Sequence, residues 1–232
     1  MNRKKINFFR SLPDLLFPRI CFVCSRRIAE GIICEDCQQK LVFLDDVCDF
    51  CGSSLKQGKC PKCVAENFRF DLARSVFPFD KTVQALIHNL KYDEMTKVAK
   101  FLSAYAVRYL QEKQPFDQVD FIVPVPLHTV KKRSRGFNQS ELFTHEIAVA
   151  MNWQHLPNLI KRNRFTQTQT KLGRIARQKN VAGAFSLNPK VDITGKNILL
   201  FDDVFTTGST LNAIATLLKE NQASNVYAFT IA

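Results

Sequence analysis

No apolar run in this chain approaches the roughly 18 to 20 residues that a bilayer-spanning helix needs. The N-terminus, MNRKKINFFRSLPDLLFPRI, is basic and then apolar, but Arg10, Pro13 and Asp14 interrupt the apolar part. No small-residue cleavage site follows it, which argues against a secretory leader. Residues 1–20 are therefore expected to be a retained amphipathic segment of a cytoplasmic protein, with peripheral contact at the inner face of the membrane left open. Acidic residues are few, 21 against 33 Lys and Arg, for a formal charge of +12. The excess is local: between His128 and Asn180 eleven Lys or Arg stand against Glu141 and Glu146, a net of +9. Such a patch fits phosphate-bearing ligands, whether nucleotides or a nucleic-acid backbone.

Cysteine is absent after residue 63, and before it all eight fall into four Cys-x-x-Cys pairs: Cys21/Cys24, Cys34/Cys37, Cys48/Cys51 and Cys60/Cys63. A two-residue spacer lets both thiolates of a pair reach one metal, and two pairs complete a tetrahedral S₄ site. Eight thiolates make two structural Zn²⁺ sites with no open coordination position. Disulfides suit exported chains, and iron–sulfur clusters usually use other spacings. The pairs can combine in sequence or interleaved, and the ribbon-like halves favour the sequential order. Residues 21–66 thus form a cysteine-rich module too short for much of an apolar core, so ligation must stabilise it.

From about residue 70 short apolar runs alternate with helical patterns, as an α/β domain requires. Strands are expected at 73–79, 119–126, 197–203 and 225–232. Helices are expected at 83–92, 97–113, 140–152 and 211–220. The run NILLFDD has the fully apolar character of a strand buried in a parallel sheet, and such sheets bind ligands beyond the carboxyl ends of their strands. Asp202 and Asp203 sit at such an end. The loop that follows, Thr206, Thr207, Gly208, Ser209 and Thr210, leads into a helix whose first N–H groups favour an anion. No lysine lies in this turn, as a P-loop would require, and it has one glycine where a dinucleotide fingerprint has three. Ribose hydroxyls on the carboxylates and a phosphate in the loop satisfy every unusual group here. That is a ribose-5-phosphate site.

The stretch ILLFDDVFTTGSTL resembles the signature of type I phosphoribosyltransferases, which bind phosphoribosyl pyrophosphate (PRPP). The resemblance implies that Asp202 and Asp203 contact the ribose, directly or through Mg²⁺, and that Thr206 to Thr210 hold the 5-phosphate. PVPLH at 124–128, KKRSRGFNQSE at 131–141, RFTQTQTKLGRIARQKNV at 164–181 and LIHNLKY at 86–92, with the cysteine pairs, resemble the ComF family of late competence proteins and their GntX-like relatives. The implied fold is a type I phosphoribosyltransferase-like domain over 70–232, a mostly parallel sheet with flanking helices, preceded by a double zinc ribbon. Pro126 would turn the chain into a pyrophosphate loop. Lys131 and Arg135 would neutralise pyrophosphate there, Gly136 would hinge the loop, and Asn138 and Gln139 would donate neutral hydrogen bonds. Thr166, Gln169, Arg177 and Asn180 match a second polar motif, while His88 is expected to be a packing residue.

The family resemblance implies a part in natural transformation, in uptake of single-stranded DNA beside a helicase-like partner. Lys131, Lys132, Arg133 and Arg135 form the densest basic run and are the candidate DNA contact. Two readings stay open: a binding protein that keeps the phosphate loop, and a transferase that moves phosphoribosyl from PRPP to an acceptor the sequence does not identify.

Overall fold

A computed structural model describes residues 18–48, 50–52, 60, 68–90, 95–127, 137–163 and 183–232. Seven strands and five helices appear among them. They are α1 (Glu35–Gln38), β1 (Leu72–Ser75), α2 (Lys81–Asn89), α3 (Met95–Lys113), β2 (Phe121–Pro124), α4 (Gln139–Met151), β3 (Gln154–His155), β4 (Ile160–Arg162), β5 (Phe185–Leu187), β6 (Ile198–Asp202), α5 (Ser209–Glu220) and β7 (Val226–Thr230).

Five strands form one sheet in the order β1-β7-β6-β2-β3, and every pairing in it is parallel. The expected mostly parallel sheet with flanking helices is therefore present, with β6 at its centre. Side chains alternate across a strand, and here both faces are buried. Leu199 and Phe201 of β6 join one apolar cluster, with Leu86 of α2, Leu102 of α3 and Phe143 and Ile147 of α4. Ile198 and Leu200 join the other, with Leu211, Ile214 and Leu218 of α5. Each fully buried aliphatic or aromatic side chain contributes about 1.5–3 kcal/mol. That is why 198–201 carries no polar residue until its carboxyl end.

The helices start where their capping chemistry dictates. Asp80 accepts the N–H of Val83 at 2.9 Å and caps α2. Gly208 precedes α5 in the left-handed region, φ +73°, a conformation open to glycine at little steric cost. Strand β2 ends at Pro124, as a residue without an N–H must end a central strand.

Three short strands carry no signal in the sequence. β3 is two residues long, and β4 and β5 form a separate antiparallel pair, Ile160 opposite Leu187 and Arg162 opposite Phe185. His88, expected to pack, is exposed on α2. Its neighbour makes the contact instead: Asn89 Nδ2 donates to the Phe22 carbonyl at 3.1 Å, tying α2 to the cysteine-rich segment.

That segment is joined to the core on both faces of the sheet. Cys21, Ile32, Ile33, Cys37 and Leu41 belong to the cluster with α2, α3 and α4. Cys51, Cys60, Phe68 and Phe70 belong to the cluster with α5. The two halves straddle β1, the sheet's edge.

Candidate functional site

β6 delivers Asp202 and Asp203 to the carboxyl edge of the sheet, between β7 and β2. Asp202 is half-buried, and its Oδ1 accepts from the Asp203 N–H at 3.0 Å and the Ser140 hydroxyl at 3.4 Å. Burial, and then the neighbouring Asp203 carboxylate, push the Asp202 carboxyl well above its ordinary value. The hydrogen bonds from Asp203 and Ser140 and the positive charge of Arg162 pull against that rise. A cation or a ribose hydroxyl would relieve two such carboxylates, so their donor chemistry fits a Mg²⁺–ribose ligand.

The rise has a definite sign for stability. In the unfolded chain this group ionises at the ordinary carboxylate value, and in the native state only at higher pH. Native stability therefore falls as pH rises from about 4, the unfolded carboxylate value, through the folded value. Asp202→Asn is expected to stabilise the protein at neutral pH, with the gain vanishing below about pH 4, where wild type is also protonated. Denaturant titrations of both proteins across that range check it; a gain that persists at low pH would exclude the carboxylate charge as its cause.

The turn beyond the carboxylates is closed by its own hydroxyls. Thr207 Oγ1 and Ser209 Oγ lie 2.9 Å apart, and the Ser209 N–H reaches Thr207 Oγ1 at 3.4 Å. Thr206 is exposed, Thr207, Ser209 and Thr210 are half-buried, and Gly208 is buried. Main-chain bonds anchor the loop to the two residues that follow β7. The Phe205 N–H donates to the Ala232 carbonyl at 2.6 Å, and Ile231 and Ala232 donate to the Asp203 carbonyl at 3.2 and 3.3 Å. The N-terminus of α5 thus follows the carboxylates in a fixed turn, where a helix dipole favours an anion.

Pro126 is half-buried just beyond β2, where Val125 donates to the Phe201 carbonyl at 2.8 Å. Asn138 and Gln139 sit differently from the expectation. The Asn138 amide donates to the Val125 carbonyl at 3.1 Å, and the Gln139 amide to the Leu90 carbonyl at 2.8 Å; both residues are buried. Neutral amides satisfy buried carbonyls without the cost of burying a charge, so these two fix the start of α4 rather than face solvent as donors. Lys131, Lys132, Arg133, Arg135 and Gly136 lie outside the described residues, as do Lys91, Thr166, Gln169, Arg177 and Asn180. Arg162, at the end of β4, was not legible in the sequence: its guanidinium lies 5.5 Å from the Phe185 ring centre and its charge acts on Asp202. A nearby cleft of about 560 Å³ between α3 and α4, lined by Glu141, His145 and His155 among others, includes neither aspartate.

The thiols assemble in the sequential order. The sulfurs of Cys21, Cys24, Cys34 and Cys37 lie within 4.8 Å of one another, and so do those of Cys48, Cys51 and Cys60; Cys63 lies outside the described residues. Cys24 and Cys34 Sγ are 3.7 Å apart, close to the ~3.8 Å edge of a tetrahedron with ~2.3 Å metal–sulfur bonds. Burial pushes the Cys21 thiol up, but main-chain N–H groups of Cys24, Cys34 and Val23 outweigh it and bring the value down to about 6. Burial and the adjoining thiols push Cys37 up to about 12. Four thiols this close cannot all ionise without a cation among them, and a divalent metal supplies it. Elemental analysis is expected to give about two Zn per chain; intact disulfides with no metal would exclude the assignment.

Comparison with known proteins adds the following. A double zinc ribbon domain model matches residues 12–66. The DNA utilization protein YhgH of Escherichia coli O157:H7 is 30% identical over 219 residues, 91% of this chain and 96% of that protein. Competence protein F of Haemophilus influenzae is 29% identical over 208 residues, 86% of this chain and 90% of that protein. Among solved structures, glutamine PRPP amidotransferase from B. subtilis aligns with 59% of this chain and 27% of its own, at 20% identity and a TM-score of 0.40.

Proposed function

This chain belongs to the ComF family, that of competence protein F and the DNA utilization protein YhgH, and from that premise we propose that it handles incoming single-stranded DNA in the cytoplasm and carries a PRPP-type site. A competence-related role comes with that family; the ligands go beyond it. The observation that carries it is the pair Asp202 and Asp203 at the end of the central strand, directly before a glycine-turned hydroxyl loop that opens α5. Carboxylates suit ribose hydroxyls or Mg²⁺, and a helix N-terminus suits the 5-phosphate. Zinc in the ribbons is structural in this reading.

DNA would be held by its backbone. The charge between residues 128 and 180, and above all Lys131, Lys132, Arg133 and Arg135, supplies the cations. Affinity for a single-stranded oligonucleotide is expected to fall steeply with salt, because neutralised phosphates release counterions. Replacing those four by Ala should flatten the log–log salt slope by about 3 if each meets one phosphate of a single strand. No binding at low salt, or an unchanged slope in the variant, would remove this segment as the DNA contact. Calorimetry with PRPP·Mg²⁺ and with the oligonucleotide, on one preparation, separates the two ligands.

A second reading is favoured by Arg162, whose charge stands beside Asp202 on the separate β4–β5 pair. There the domain transfers phosphoribosyl to an acceptor, and Asp203 stabilises positive charge developing at the anomeric carbon while pyrophosphate leaves. Pyrophosphate release that requires a cellular acceptor fraction would favour it. No helix among the described residues is long and apolar enough to cross a membrane.

A further inference from the structure

We propose that the second zinc ribbon, residues 48 to 63, is the positioning element of the phosphate loop, so that its metal occupancy governs the conformation of residues 205–210 and their hold on a phosphate-bearing ligand. The inference rests on the reading of that loop as a phosphate site.

The route is a stack of four phenylalanines. Phe50 lies inside the knuckle, between Cys48 and Cys51. Its ring stacks on Phe70 at 5.8 Å with 19° between planes, and Phe68 stacks on Phe70 at 4.6 Å and 23°. Phe205, which belongs to the phosphate loop, stands edge-on to both, 6.2 Å from Phe68 and 6.1 Å from Phe70. The stack ends beneath the glycine of the turn. A Cβ added at Gly208 would lie 2.8 Å from Phe205 Cζ and 3.0 Å from Phe68 Cε1. The turn therefore rests on two rings, one from its own loop and one from the chain just beyond the ribbon.

Hydrogen bonds lock both ends of this arrangement. The Arg69 N–H donates to Asn212 Oδ1, in the first turn of α5, at 2.6 Å. At the other end the Ala73 N–H donates to the Phe50 carbonyl at 2.8 Å. The knuckle lies so close to β1 that a Cβ on Gly52 would come within 2.4 Å of the Ala73 carbonyl oxygen. A knuckle whose fold depends on ligation is thus clamped to the sheet, and it holds the rings that shape the loop.

The first ribbon provides a control within the same chain. Its described apolar residues pack on the opposite face of the sheet, in the cluster of α2 and α3, and none of them belongs to the cluster that holds the phenylalanine stack. Losing one site should reach the loop, and losing the other should not.

Hydrogen exchange on the full-length, zinc-loaded chain, read by mass spectrometry over 205–212, tests this. Cys51→Ser is expected to lose about one Zn and to accelerate exchange in that segment about tenfold, as the aromatic contacts to Phe205 are lost. Cys24→Ser should lose a similar amount of metal and leave the segment's exchange unchanged. Should Cys51→Ser prove globally unfolded, Phe68→Ala decides, since it keeps every thiol: the segment should exchange faster with zinc content intact, and Phe68→Leu should restore most of the protection. Unchanged loop exchange in Phe68→Ala overturns the proposal. If the loop responds as described but neither inorganic phosphate nor PRPP·Mg²⁺ binds wild type, the coupling stands and the ligand reading fails.

Discussion

Changing Asp202 and Asp203 together to Asn is expected to weaken PRPP·Mg²⁺ binding by about a hundredfold or more, while the protein stays folded. Each carboxylate hydrogen bond to a charged or hydroxyl partner is worth about 1.5–3 kcal/mol, and 1.4 kcal/mol is a factor of ten. Neutral amides also coordinate a divalent cation far less well than carboxylates do. The fold should tolerate the change because an Asn side-chain oxygen at 202 can still accept from the Asp203 N–H and the Ser140 hydroxyl. Removing two adjacent acids from a half-buried strand end also relieves the strain that pushes the Asp202 carboxyl up. Calorimetry with PRPP·Mg²⁺ beside a thermal melt separates binding from folding. Unfolding of the double variant, with PRPP never binding wild type, would assign the two acids a structural task instead.

The second large effect is expected from Gly208→Val. At φ +73° a β-branched residue is strained by roughly 1–2 kcal/mol. Its side chain must also displace Phe205 and Phe68, 2.8 and 3.0 Å from the first added carbon, at a cost of about 1–3 kcal/mol for overpacking. The sum lowers the melting temperature by roughly 4–20 °C for a domain of this size. Gly195→Val isolates the backbone part, since Gly195 has φ +69° but open space around its would-be Cβ. The Gly208 variant should therefore lose more stability than the Gly195 variant, and it alone should lose the phosphate ligand. Equal losses would mean that the rings yield and the loop is not tightly seated.

Much of this architecture is legible in the sequence because its signals are local. The apolar run ILLF followed by two acids marks β6 and its carboxyl end, and PVP marks the stop of β2. The cysteine spacing marks two sites and leaves their grouping open, with the sequential order favoured; the folded chain groups the described sulfurs in that order. What escaped depends on partners distant along the chain. Two- and three-residue strands such as Gln154–His155 and Ile160–Arg162 carry no period to read, and Arg162 becomes a neighbour of Asp202 only after folding. Asn138 and Gln139 look like free donors in a basic run, yet they serve carbonyls of Val125 and Leu90. The apolar pair in DDVF is part of the signature, but nothing in the sequence tells what it packs on; Phe205 is the ring on which the turn rests.

Strand β1 is one of the two edge strands of the sheet, and one side of it faces away from β7. That side is covered: Ala73 donates to the Phe50 carbonyl, and Leu44 donates to the Val76 carbonyl at 2.8 Å. An uncovered edge strand is a template on which another chain can pair, and proteins blunt such edges to stay apart in solution. The cysteine-rich segment is therefore also a guard against edge-to-edge aggregation. Removing it would expose a row of main-chain donors and acceptors beside the apolar surface of Phe70 and Phe77.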